Sequence, residues 1–201
     1  RAGALGVVEL RGTPDSCIEA IRQVTDHTTG AIAVRVGSDT PLGLSLSSRV
    51  SAVIVDDESN LQKFKTLSDD RQLIAVVTSL VEAHSAVAAG ADALIVSGSE
   101  AGGRVGGTST FILLQQVLGQ VSVPVYARGG IGLHTAAAAF AAGAVGVVLD
   151  EQLSLCKEVQ LTPSEDAAIK RLDGSESRVE DQRRITSLGA PNDTTAPEWP
   201  L

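Results

Sequence analysis

The 201-residue chain has no methionine, one tryptophan, one tyrosine, three phenylalanines and two cysteines. So few aromatic rings, together with a formal net charge of −8, leave little with which to stack bases or track phosphates, and nucleic acid is not an expected partner. Cys17 and Cys156 are far apart and lack metal-ligand spacing, so structural zinc is set aside and the thiols read as reduced and partly buried. No apolar run approaches the roughly 20 residues of a bilayer span. The opening Arg1-Ala2-Gly3-Ala4 has neither the basic region nor the apolar stretch of a signal peptide, so a cytoplasmic protein without membrane association is expected. The missing methionine and a start in mid-pattern suggest a piece of a longer polypeptide. The adjacent Asp56 and Asp57 read as a solvated loop, and no metal site is expected.

Apolar residues make up 43% of the chain and charged residues 20%, an ordinary balance for a globular domain, and the apolar mass is Ala, Val, Leu and Ile. Short β-branched runs recur at residues 6–10, 31–36, 52–55, 73–77, 91–96, 123–127 and 145–149. Helical stretches intervene at 14–25, 60–67, 81–89 and 134–142, with Thr13 and Ser59 as caps and Gly90 and Gly143 as stops. Ala88-Ala89-Gly90-Ala91 and Ala141-Ala142-Gly143-Ala144 are near repeats, weakly echoed by Thr28-Thr29-Gly30-Ala31. Each glycine there would carry the chain out of a helix in a left-handed turn. Run starts about 20 to 30 residues apart require consecutive parallel βα units. The expected fold is therefore α/β, a (β/α)₈ TIM barrel truncated at the N-terminus, with about seven of eight strands, since a whole barrel needs roughly 250 residues. Residues 1–155 would be the partial barrel and 156–172 a terminal helix, read at 165–172, with its connection. Residues 173–201, polar and without apolar period, would be a linker or tail.

In such a fold the loops leaving the C-terminal strand ends build the site. Two stand out. Ser97-Gly98-Ser99-Glu100-Ala101-Gly102-Gly103-Arg104-Val105-Gly106-Gly107 holds five glycines in eleven residues and precedes a helix starting near Ser109. Arg128-Gly129-Gly130-Ile131-Gly132 opens the helix at His134. Glycine turns between a strand and a helix N-terminus let backbone N–H groups approach a phosphate that the helix dipole also favours.

Gly-Ala-Asp-Ala-Leu-Ile-Val-Ser-Gly-Ser-Glu-Ala-Gly-Gly-Arg from Gly90, Pro-Val-Tyr-Ala-Arg-Gly-Gly-Ile from Pro124 and Gly-Ala-Val-Gly-Val-Val from Gly143 resemble, in order and spacing, the nitronate monooxygenase (2-nitropropane dioxygenase-like) family. The likeness begins at Arg1-Ala2-Gly3-Ala4-Leu5-Gly6 and ends near Leu149. It implies FMN as cofactor, with Gly129 and Gly130 on its phosphate, Gly102 and Gly103 near its ribityl chain or ring, and Gly98, Glu100, Ala101 and Ile131 completing the cofactor site. From the residues alone, a sugar phosphate would serve as well as FMN. Nitronate-oxidising members carry a histidine base where this chain has Arg104, which stays protonated and could instead pin a carboxylate, phosphate or thioester oxygen. Arg104 and His134 are the candidate catalytic residues. Where the family has Gly-Thr after the last strand, this chain has Leu149-Asp150-Glu151, whose carboxylates would repel a phosphate unless turned away. The family's first strand, with its flavin-contacting loop, is missing. Arg104, Leu149-Asp150-Glu151-Gln152-Leu153 and Leu172-Asp173-Gly174-Ser175-Glu176 resemble the barrel domains embedded in polyketide and polyunsaturated fatty-acid synthases. That likeness implies an oxidoreductase acting on an enoyl or other activated acyl substrate, small or carrier-bound, with neighbouring synthase domains as partners. The alternatives are a catalytically silent docking barrel in such a synthase, or a non-flavin barrel acting on a sugar phosphate.

Remaining polar residues carry plainer expectations. His27 and His84 read as solvated or capping. Thr78 and Ser79 are either site-lining hydroxyls or helix caps. Arg35, inside an apolar strand, must find an ion-pair partner or a substrate.

Overall fold

Every one of the seven β-branched runs is a strand in the computed structural model, which describes residues 4–68, 70–150, 153–154, 156–172, 177–187 and 198–199. Strands β1 (Gly6–Glu9), β2 (Ile32–Val36), β3 (Val50–Val55), β4 (Gln72–Val77), β5 (Ala93–Ser97), β7 (Val125–Arg128) and β8 (Gly146–Val148) form one sheet in chain order, skipping only the two-residue β6 (Gly103–Arg104). Helices α1 (Pro14–His27), α2 (Leu61–Ser68), α3 (Leu80–Ala88), α4 (Thr110–Leu118) and α5 (Leu133–Ala142) fall between strands, with no helix among the described residues between β2 and β3, so the succession supplies seven of the eight strands of a (β/α)₈ barrel. A short α6 (Pro163–Ile169) follows β8. No helix among the described residues is long and apolar enough to cross a membrane.

The chain divides into two compact units. The first comprises residues 1–95 and 120–125. Its strands β1 to β4 pair in parallel, and the alternation that would leave one face polar is absent because both faces are covered: β3 and β4 are buried at all but one position each. Phe64, Leu61, Leu73, Val34, Val53 and Val55 form its fully buried centre. Thr13 caps α1 by accepting from the Ser16 amide. At the other end the Arg49 guanidinium donates to the carbonyls of Thr25 at 2.7 Å and Gly30 at 3.0 Å, and also to that of Thr28. That contact replaces the glycine stop expected there. Gly30 is not left-handed, whereas Gly90 and Gly143 are, at φ +93° and +112°. Arg35 pairs with Asp56, which resolves the charge expected to need a partner. Ser79 caps α3, and Thr78 donates to the Glu82 carboxylate, so both hydroxyls serve the helix start.

The second unit comprises residues 96–119 and 126–201. Beyond its barrel elements it contains a hairpin, β9 (Ser177–Glu180) and β10 (Arg183–Ser187), in the segment expected to be linker. β10 also pairs antiparallel with β11 (Glu198–Trp199) and with β6. The strands carry no apolar period because backbone pairing, not a buried face, holds them. Residues 173–176 of the synthase-like motif, and Arg1, Ala2 and Gly3, lie outside the described residues.

Candidate functional site

The two glycine turns expected to hold a ligand lie in the second unit and are packed on one another. Gly129 and Gly130 have φ of +101° and +63°, a left-handed pair that side chains rarely adopt. A Cβ on Gly129 would stand 2.7 Å from the Ala101 nitrogen and 2.9 Å from Thr110 Oγ1, so only glycine permits this approach. Across the wall, a Cβ on Gly98 would stand 2.2 Å from the Thr110 nitrogen. The main chain ties the turns together as well, since the Gly98 amide donates to the Arg128 carbonyl at 3.2 Å.

Thr110, 1% exposed, is the knot of this wall. Its hydroxyl lies 3.1 Å from both the Arg128 carbonyl and Glu100 Oε2, and its amide donates to Glu100 Oε2 at 2.9 Å. Ser109 is the N-cap of α4, but its side chain makes no cap hydrogen bond, and a carboxylate from ten residues upstream of Thr110 satisfies the first turn. This changes the electrostatic expectation, because the positive end of α4 already faces a carboxylate. The start of α5 differs. Its first turn has no acidic residue, Gly129 and Gly130 lead into it, and the Gly132 amide is held by Thr135 Oγ1 at 2.6 Å. Glu100 packs its Cβ and Cγ against Gly130 as well, but its Oε2 is taken by the α4 amide, so of the two helix ends α5 is the one whose first amides meet no carboxylate oxygen among the described contacts.

Below the turns lies a charged group that sequence reasoning left unassigned. Arg128, the last residue of β7, is 3% exposed. Its Nε donates to Asp150 Oδ2 at 2.6 Å and its Nη1 to Ser97 Oγ at 3.4 Å. Nη2 is buried without a hydrogen-bond partner among the described residues. Asp150, expected to repel a phosphate, is instead neutralised by this guanidinium; Glu151 lies outside the described residues. The available signal was an Arg and an Asp of opposite charge at the ends of two neighbouring strands.

The other site residues are placed as follows. Ala101, Gly102 and Gly103 are buried, as is Ile131, while Glu100 and Gly130 are exposed. Arg104 is half-buried in β6, opposite Arg183 of β10. The hairpin clasps the same loop through Arg184 Nε, which donates to the Ser99 carbonyl at 2.7 Å, and through the Val105 amide, which donates to the Gln182 carbonyl at 2.8 Å. His134 is exposed in the first turn of α5, and His27 and His84 are exposed on α1 and α3. Burial pushes the Cys17 thiol pKa up, while Cys156 is exposed. No group of three or more metal-ligating side chains gathers among the described residues.

The family model for nitronate monooxygenase matches residues 31–184. Among curated proteins, a 5-hydroxy-7a-methyl-1-oxo-octahydro-1H-indene-4-carboxyl-CoA dehydrogenase of Rhodococcus jostii is 31% identical, over 93% of this chain and 58% of its own length. A probable nitronate monooxygenase of Staphylococcus aureus is 36% identical over 38% of this chain and 24% of that protein. Among solved structures, a variant of FabK from Thermotoga maritima superposes with a TM-score of 0.80 at 28% identity, covering 92% of this chain and 66% of that one. Nitroalkane oxidase from Streptomyces ansochromogenes shares the fold, with a TM-score of 0.72 at 24% identity over 83% of this chain and 63% of its own. The chain spans little more than half the length of the Rhodococcus relative.

Proposed function

The chain belongs to the nitronate monooxygenase family, and from that premise we propose that it is the greater part of an FMN-dependent oxidoreductase acting on an enoyl or other activated acyl substrate. The observation that carries this reading is the interlocked wall of Gly98 to Ala101 against Gly129 and Gly130, left-handed at the second turn and impassable to a side chain. The phosphate belongs at Gly129, Gly130 and Ile131, beside the start of α5, whose first turn has no acidic residue; Glu100 packs its stem against Gly130 but directs its carboxylate to the Thr110 amide of α4. Glu100 and Ala101 act by buttressing the phosphate turn, and Gly102 and Gly103 line the approach to the ring. When bound, the flavin supplies hydride exchange with the acyl substrate.

Arg104 replaces a general base with a fixed cation, so it orients a substrate oxygen and removes no proton. His134, exposed in the first turn of α5, is the group on that side able to take or give a proton to solvent. The acyl-thioester class draws support from the Rhodococcus relative, whose name specifies a CoA compound. Equilibrating the purified protein with FMN, then gel filtration and a visible spectrum, tests the reading. A protein that retains flavin and bleaches it with a nicotinamide reductant, then recovers colour on adding an enoyl-CoA, meets the expectation. A protein that takes up no FMN returns the chain to the alternative of a silent docking barrel.

A further inference from the structure

Arg128 is a costly residue to bury, and it is buried incompletely satisfied. Two of its three nitrogens have partners, Asp150 at 2.6 Å and Ser97 at 3.4 Å, and the third, Nη2, has none among the described residues. A buried N–H group without an acceptor costs about as much as a lost hydrogen bond, so this geometry is explained if the acceptor arrives with a ligand. We propose that Arg128 Nη2 is the receptor for one carbonyl-type oxygen of the bound ligand, either a ring carbonyl of the flavin or the thioester carbonyl of the acyl substrate. This assignment rests on the flavin and acyl reading above.

Charge decides against a phosphate oxygen as the occupant. The Asp150 carboxylate already balances the guanidinium, so the group presents the Nη2 amino group with its two N–H donors and little net charge. A phosphate dianion brought to it would also meet Asp150, whereas a neutral or partly charged carbonyl oxygen needs only an N–H of Nη2. Position agrees. Arg128 ends β7, one residue before the turn suited to the phosphate, while Ser97 ends β5 and Asp150 lies just beyond β8. Ser97 Oγ, fully buried, holds Nη1 and so fixes the plane in which Nη2 points.

The test compares the wild-type chain with Arg128→Met, titrated with FMN, with riboflavin and with a short-chain enoyl-CoA. Binding is read by flavin fluorescence and by calorimetry, and the visible band of bound flavin is recorded. If the oxygen is the flavin's, Arg128→Met weakens FMN and riboflavin alike by about ten- to a hundredfold and shifts the band. If it is the thioester's, flavin binding is unchanged and enoyl-CoA binding falls by that factor. Unchanged affinity for all three overturns the proposal, and so does a loss confined to FMN, which would put a phosphate oxygen on Arg128. Should Arg128→Met fail to fold, Arg128→Met with Asp150→Asn removes the pair together and is read identically. Arg128→Lys, which keeps the charge opposite Asp150, is expected to keep the wild-type melting temperature without restoring affinity. Absence of flavin binding by the wild-type chain refutes the flavin reading by itself, and the enoyl-CoA arm then decides the fate of Arg128.

Discussion

Replacing Thr110 by valine removes one hydroxyl from the knot of the glycine wall while keeping its shape. The hydroxyl has a single proton, so it donates to the Arg128 carbonyl or to Glu100, each 3.1 Å away, and not to both at once. Neither acceptor is stranded by its loss. The Arg128 carbonyl keeps the Gly98 amide at 3.2 Å and Glu100 keeps the Thr110 amide at 2.9 Å. The cost therefore falls in the range for one lost hydrogen bond, about 1–2 kcal/mol, and not in the higher range for an orphaned buried group. Urea denaturation followed by circular dichroism should show the midpoint falling with an unchanged slope, and Thr110→Ser, which keeps the hydroxyl, should recover most of the loss. A Thr110→Val midpoint equal to wild type would refute the knot, and a loss well beyond 2 kcal/mol would mean that one of the two acceptors had no second partner.

Arg49→Ala strips the charged donor from three carbonyls at the end of α1 and should cost about 1.5–3 kcal/mol, with faster amide exchange over the last turn of that helix. Glu19, hydrogen-bonded to Arg22 and Gln23, has its pKa lowered to about 2. Because the shift is downward, its stabilising effect is complete above the usual pKa of 4.5 and fades as pH falls toward 2. An NMR titration should find that low midpoint, and Arg22→Met should return it toward the ordinary value. Gln182 turns the β9–β10 hairpin at φ +61°. Gln182→Gly removes a left-handed penalty of about 1–2 kcal/mol against a glycine entropy cost of about 0.5–1, for a net gain of about 0–1.5 kcal/mol, read as a thermal melt no lower than wild type.

The repeating βα order was legible because buried parallel strands must be continuous β-branched runs, and the chain has seven of them. Boundaries moved where polar residues joined a ladder. β3 begins at Val50, since Ser51 can face outward, and β5 begins at Ala93, because Asp92 is occupied in accepting from the Leu73 amide. The glycine turns were legible for a similar reason: adjacent glycines at a strand end mark backbone that a Cβ would obstruct. The contacts that give the site its electrostatics were not. Glu100, not the Ser109 side chain, satisfies the first turn of α4, and Arg128 neutralises Asp150 from 22 residues away, and no local propensity encodes either meeting. The polar hairpin escaped notice because it is joined by main-chain groups and by a polar contact, Arg184 Nη1 to Ser177 Oγ at 2.7 Å, that leave no apolar period.

That hairpin also bears on the order of assembly during synthesis. Arg184 meets Ser99 across 85 positions of chain, so an emerging polypeptide can form its first strands and helices well before the partner of Gly103 and Arg104 has left the ribosome. Until then the glycine-rich segment must wait without its clasp, and non-local closures of this kind are slow steps in folding. Maturation of the site is thus tied to completion of the C-terminal stretch, and a nascent or clipped chain ending before β9 would present strands and helices in order while leaving the loop that carries Arg104 unfastened.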